Sequence, residues 1–181
     1  ANAYVQPLMS RYLTKLDEAL QSMGFMCPFL LMTSGGGLTT LDTSIKFPVR
    51  LVESGPAGGA ILATEIAKEC GIDNVLSFDM GGTTAKICLI DDYTPQMTRT
   101  FEVARVYRNL KGSGLPLRIP AIEMVEIGAG GGSIAKVDDM KRISVGPESS
   151  GASPGPACYG QGGLDATVTD ADVILGRIDP K

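Results

Sequence analysis

Apolar positions recur at helical spacing almost from the first residue, with Val5, Leu8, Met9, Tyr12, Leu13, Leu16, Leu20 and Met23 on one face. Pro7 fits only in a first turn and Gly24 supplies a stop, so the pattern predicts one long amphipathic helix. The apolar run Pro28 to Thr33 predicts a buried strand, and Ser34 to Thr40 a loop. A second helix is expected to start at Gly55 and Pro56, to turn Ile61, Leu62, Ile66 and Ala67 inward, and to end at Gly71. Asn74 to Asp79 then reads as a strand, with Ala85 to Ile90 as its antiparallel partner across a Gly-Gly turn.

Alternation over Phe101 to Tyr107 and over Ile119 to Ile127 predicts further strands. The composition then shifts, because Gly128 to Gly163 is crowded with glycine and proline around two strand-like fragments, Ile134 to Val137 and Arg142 to Val145. That mixture differs from a repetitive, flexible linker and predicts loops defined by backbone geometry. Thr169, with Asp172 three residues on, is expected to cap a short final helix that Gly176 ends. The expected organisation is an α/β stretch over 1–111 and a glycine-rich β/loop stretch with the short helix over 112–181, both in the same domain.

Composition narrows the function classes. With 181 residues, 44% hydrophobic and 20% charged, the chain can bury a real core and is not a disordered tail. A net charge of −4 without a basic run argues against nucleic-acid and membrane-surface partners. No apolar stretch is long enough to span a bilayer and no signal peptide opens the sequence, so a cytoplasmic location is expected. Cys27, Cys70, Cys88 and Cys158 have neither metal-ligand nor disulfide spacing and read as reduced, mostly buried thiols. Histidine is absent, which excludes His-dependent nucleophiles and metal sites within these residues.

The stretch "SFDMGGTTAKICLI", Ser77 to Ile90, is the strongest chemical candidate. As a plain hairpin its Gly81-Gly82 pair would supply the two positive φ angles of a type I′ turn. Asp79 weighs against that reading alone, since a carboxylate at the inner end of an apolar strand is costly to bury without a partner. Gly81 and Gly82 leave amides open to a phosphate, Thr83 and Thr84 add hydroxyls, and Asp79 can hold Mg²⁺ through water. The order of residues is neither a Walker A loop nor G-x-G-x-x-G. A second cluster, "IGAGGGSIA" at Ile127 to Ala135, is either a crowded backbone crossing or a close approach to a ligand through Gly131, Gly132 and Ser133. Lys86, Cys158, Asp170 and Asp172 read more simply as a solvated lysine, a structural thiol and helix-capping carboxylates.

Taken in order, "NAYVQPLMSRYL", "MTSGGGL", "PVRLVESGPAGGA", "FDMGGTTAKICLI", "IGAGGGSIAKVD", "VGPESSGASPGPACYGQGG" and "TVTDADVILGRID" resemble the hydantoinase A / 5-oxoprolinase family. The resemblance implies part of an actin-like (ribonuclease H-like) ATPase fold with a mixed sheet, in which "DMGGTT" is one of two phosphate-facing hairpins. It implies ATP and Mg²⁺ as cofactors, Asp79 as a catalytic and metal-holding residue, and Gly81, Gly82, Thr83, Thr84, Gly131, Gly132 and Ser133 as cofactor-binding residues. The implied chemistry is ATP-dependent hydrolysis of a small-molecule cyclic amide. The implied partners are the rest of the same polypeptide and a hydantoinase B-type subunit. The first phosphate hairpin is not among these residues, so the chain is expected to be an internal segment and inactive alone. The alternatives are a segment of an acetone carboxylase-type subunit and a non-catalytic assembly module.

Overall fold

The computed structural model describes residues 1–104, 106 and 112–179. It is a mixed α/β structure whose strand pairs are antiparallel. It divides into two compact units, the first made of Ala1–Ser77 and Cys88–Glu123, the second of Phe78–Ile87 and Met124–Lys181. Residue 111, the last of the first stretch expected from sequence, lies outside the described residues, as does Tyr107 at the end of an expected strand.

The first unit opens with α1 (Asn2–Ser22), as the apolar repeat predicts, but Pro7 lies inside the helix past its first turn, contrary to expectation, where it cannot donate the amide bond of a regular turn. Its buried residue is Leu13, while Leu8, Tyr12 and Met23 of the expected apolar face are exposed. β1 (Leu30–Met32) pairs with β2 (Leu38–Thr40), so part of the expected loop is a strand and the expected buried strand is only half covered. A short helix α2 (Leu41–Lys46), capped by the Thr40 hydroxyl, leads into a single 3₁₀ turn at Pro48–Leu51.

α3 (Ser54–Cys70) ends at Gly71 in the left-handed conformation, as expected of a glycine stop. The face it buries differs from expectation. Leu62 and Ile66 are exposed, and the inward stripe is Ala57, Ala60, Thr64 and Ala67. Small side chains let the helix axis approach its neighbours closely, and Thr64 returns its hydroxyl to the Ala60 carbonyl at 2.9 Å, so no polar atom is stranded.

Two strands, β3 (Val75–Met80) and β4 (Ala85–Asp91), are neighbours in one sheet, with their bases in the first unit and their tips in the second. In the first unit β4 also pairs with β5 (Thr94–Pro95) through a turn in which Asp92 and Tyr93 both have positive φ, 47° and 55°. β6 (Met97–Thr98), β7 (Phe101–Val103), β8 (Leu115–Leu117) and β9 (Ala121–Ile122) complete the unit as two small pairs, β6 with β9 and β7 with β8. The core of this unit gathers Leu13, the α3 stripe, Cys88, Ile90, Leu117, Ile119, Ala121 and Ile122.

In the second unit β10 (Val125–Ile127) pairs with the tip of β4, setting Val125 opposite Ile87, Glu126 opposite Lys86 and Ile127 opposite Ala85. The strand-like alternation over Ile119 to Ile127 falls into two strands, β9 and β10, assigned to different units. β11 (Ser133–Val137) pairs with β12 (Ile143–Ser149) with a register shift between Ser133 and Ala135, and α4 (Val168–Ile174) closes the unit. Val125, Val137 and Ile143 are all exposed, and the buried side chains include Ala85, Ser133 and Thr167. Hydrogen bonds between backbone and hydroxyl groups therefore carry much of this unit.

Of the four cysteines only Cys88 is buried, which corrects the expectation of mostly buried thiols. Burial pushes the Cys88 thiol pKa up. Among the described residues no helix is long and apolar enough to cross a membrane.

Candidate functional site

The chain reverses between β3 and β4 in four residues, Gly81 to Thr84, and the turn is closed by the Gly81 amide donating to the Thr84 carbonyl at 2.9 Å. The positive φ pair expected of Gly81 and Gly82 is absent, so neither is held to glycine by a left-handed φ. Steric crowding does not demand glycine there either. A Cβ built on Gly82 meets nothing within 4 Å, and one built on Gly81 meets only the Thr84 carbonyl oxygen at 3.6 Å. Neither a left-handed φ nor packing among the described residues thus accounts for glycine at these two positions.

The second glycine cluster comes to this turn. The amides of Gly131 and Gly132 donate to the carbonyls of Gly81 and Gly82 at 2.9 and 2.8 Å. Gly130 approaches closer still, because a Cβ there would lie 2.5 Å from the Thr83 nitrogen and 2.6 Å from both Gly81 O and Gly82 C. On their other side the carbonyls of Gly131 and Gly132 accept from the amides of Thr169 and Ser150, both at 2.8 Å. Ser133 is buried, and its hydroxyl oxygen accepts from the Gly130 amide at 2.9 Å. The carbonyls of Gly81 and Gly82 are thereby satisfied. The amides of Gly82 and Thr83 have no partner among the described residues.

Asp79 lies in β3 one residue from the strand end, and it is exposed, so the argument from a buried carboxylate does not hold. An exposed Asp remains free to meet a hydrated cation. Among the described residues no group of three or more His, Cys, Asp or Glu side chains is gathered to hold a metal ion. Such a group is not required for Mg²⁺, which keeps its waters and binds through one or two carboxylates plus phosphate oxygens.

The N-terminus of α4 supports the same cluster from behind. Two overlapping Thr-x-x-Asp sequences are available, and the cap is Thr167 with Asp170, two residues earlier than expected. The Thr167 hydroxyl and amide both reach Asp170 at 2.8 Å. Thr169 lies inside the helix, and its amide donates to the Gly131 carbonyl. Asp170 also accepts the Cys158 amide at 2.7 Å and the Ala157 amide at 3.3 Å. Burial pushes the Asp170 carboxyl up, but hydrogen bonds from Cys158 and Thr167 outweigh it and hold the pKa at about 2. The Cys158 thiol pKa is raised by its hydrogen bond to that carboxylate, which disfavours the thiolate despite its exposure.

The structure thus brings Gly131, Gly132 and Ser133 of the expected residues beside the turn, together with Gly130, which was not among them and makes the closest approach. The signal was present as the uninterrupted run Gly130 to Gly132, whose members cannot be ranked until the facing chain is known.

A sequence model of the family described as Hydantoinase/oxoprolinase matches residues 1–181. The chain belongs to the hydantoinase/oxoprolinase family. An uncharacterized protein of Methanocaldococcus jannaschii is 44% identical to this family member over 99% of the chain and 27% of its own length. The crystal structure of ATP-dependent caprolactamase from Pseudomonas jessenii superposes with a TM-score of 0.68 at 36% identity, covering 98% of the chain and 24% of that protein. A nucleotide-free structure of acetone carboxylase, from a study of ATP-dependent acetone carboxylation, gives a TM-score of 0.70 at 27% identity over 94% and 23%. The chain spans about a quarter of the length of these hydantoinase/oxoprolinase relatives.

Proposed function

We propose that the turn Gly81 to Thr84 holds nucleotide phosphates, and that this chain is a segment of an ATP-dependent enzyme that hydrolyses cyclic amides. The observation that carries the reading is Gly82, whose φ is not left-handed and whose missing side chain leaves open space that none of the described residues uses. A glycine kept where neither conformation nor packing calls for it suits the close approach of a group from outside, and partnerless amides suit an anion. The fold proposed for the whole protein is an actin-like ATPase.

In this reading Gly82 and Thr83 donate their amides to phosphate oxygens while the bonded carbonyls of Gly81 and Gly82 are kept from opposing the anion. Thr83 and Thr84 would add hydroxyl donors, and Asp79 would hold Mg²⁺ through water, the ion neutralising phosphate charge. Bound Mg-ATP supplies the phosphoryl group that makes a ring carbonyl susceptible to water. The residues of this chain supply position and electrostatic complement rather than a covalent nucleophile, consistent with the absence of histidine. Half a cradle binds weakly, so activity requires the rest of the polypeptide and a second subunit, in the cytoplasm.

Calorimetric titration of the whole protein with Mg-ATP tests the phosphate site. Gly82→Ala is expected to leave thermal unfolding unchanged, since its Cβ meets nothing, and to weaken ATP binding about tenfold. Unaltered ATP affinity in a folded Gly82→Ala protein would sink the assignment. The likeness to acetone carboxylase favours a second reading, in which the same site serves carboxylation of a ketone. Supplying whole protein and partner with ATP and either a lactam or a ketone plus bicarbonate separates the two by product.

A further inference from the structure

The second glycine cluster touches the turn only through backbone, and its own amides are already committed: Gly130 to the Ser133 hydroxyl, Gly131 to Gly81, Gly132 to Gly82. Such a segment is poorly suited to receive a phosphate itself. It is well suited to fix the place of the segment that does. Gly130 is buried and has an ordinary φ, so its glycine is demanded by proximity rather than by conformation. The three nearest atoms to its absent Cβ all belong to the turn backbone, and one of them is the Thr83 nitrogen at 2.5 Å.

We propose that Gly130 is a positioning residue: together with the Gly131 and Gly132 amides it sets the location of the Gly82 and Thr83 amides to which phosphate binds. The inference rests on the phosphate reading of the turn. A methyl group at position 130 would need ordinary contact distance, so the turn backbone has to retreat by about 1 Å, and backbone cannot rotate aside as a side-chain tip does. Displacement on that scale is enough to cost a binding or catalytic constellation one to two orders of magnitude. Gly131 differs in kind. Its absent Cβ faces the Thr169 hydroxyl at 2.5 Å, the end of a side chain that substitution can remove.

The experiment is Mg-ATP calorimetry on the whole protein, reading affinity and stoichiometry separately. Misfolding alone lowers stoichiometry and leaves the affinity of the remaining sites as it was. Gly130→Ala is expected to weaken affinity about tenfold or more. Gly37→Ala, whose Cβ meets only the Thr33 hydroxyl at 3.8 Å, serves as the glycine-to-alanine control and is expected to bind as the parent does. Should Gly130→Ala fail to fold, Gly131→Ala carries the test. Alone it is expected to weaken affinity, and combined with Thr169→Ala to recover to within about twofold, because the obstructing hydroxyl is gone. Parent-like affinity in Gly130→Ala or Gly131→Ala, beside a weakened Gly82→Ala, overturns the positioning role and leaves the phosphate site standing. Parent-like affinity in all three, Gly82→Ala included, overturns both.

Discussion

The Gly131 amide donates to the Gly81 carbonyl at 2.9 Å, joining two glycine clusters that are far apart in sequence into one backbone knot. The bond repeats one residue along, from Gly132 to Gly82 at 2.8 Å, and the carbonyls of the same two residues accept from Thr169 and Ser150. The turn between β3 and β4 is therefore held by a strap that is itself held by α4 and the chain after β12. Few apolar side chains are buried in this unit, so the stability of the knot follows from hydrogen bonds and from the caps that orient its neighbours.

The cap on α4 is the first of these supports to test. Thr167 is 2% exposed, caps the helix and shares its hydroxyl and amide with Asp170. Replacement by alanine removes the cap and two of the contacts around a buried hydroxyl, and a loss of about 1–2 kcal/mol is expected in chemical unfolding. Thr169→Ala, which keeps its amide bond to Gly131, is expected to lose clearly less.

Acid should loosen the same corner. The folded Asp170 pKa is about 2 against an ordinary 3.8, so the unfolded chain takes up the proton first. The stabilisation is fully present above about pH 4 and is lost as pH falls toward 2. Asp138, lowered by the backbone and side chain of Arg142, and Glu148, lowered by Lys136, act with the same sign. Thermal unfolding followed from pH 5 to pH 2 is expected to fall less steeply for Asp170→Asn than for the parent, from a lower starting value.

Thiol chemistry offers an independent measure of the Asp170 contact. Cys158 is exposed, yet its hydrogen bond to the carboxylate raises the thiol pKa and lowers the thiolate fraction near neutrality. At pH 8 it is expected to react with iodoacetamide more slowly than exposed Cys27 and Cys70, as peptide mass analysis would show. Asp170→Asn should accelerate it. Equal rates for Cys158 in the two proteins would exclude the contact.

The turn from β4 to β5 carries the conformation expected of the Gly-Gly pair. Asp92 and Tyr93 both have positive φ without being glycine. Asp92 is exposed, so Asp92→Gly relieves the left-handed penalty without removing packing, and a gain of about 0.5 kcal/mol is expected in thermal unfolding. Asp91→Gly, at the end of β4 with an ordinary φ, is expected to cost a similar amount instead.

α1, α3 and the strands β3 and β4 could all be placed from the chain alone, because their signals are local: a 3.6-residue apolar repeat, a Gly71 stop, and two apolar runs around Gly81-Gly82. Family membership was legible for a related reason, since seven ordered blocks make a coincidence of short motifs untenable. What each glycine does was not legible. Gly81, Gly82 and Gly130 to Gly132 are the same residue, and only the neighbour that folding brings to each one separates a turn with room to spare from a crossing that admits no Cβ. The choice of cap between two Thr-x-x-Asp sequences was settled in the same way, with Asp170 accepting the distant Cys158 amide as well as the Thr167 amide. So was the face of α3, where small side chains rather than Leu62 and Ile66 meet the core. Every backbone amide and carbonyl is chemically alike along the chain; which of them are satisfied, and which remain open, is a property of the three-dimensional approach of distant segments.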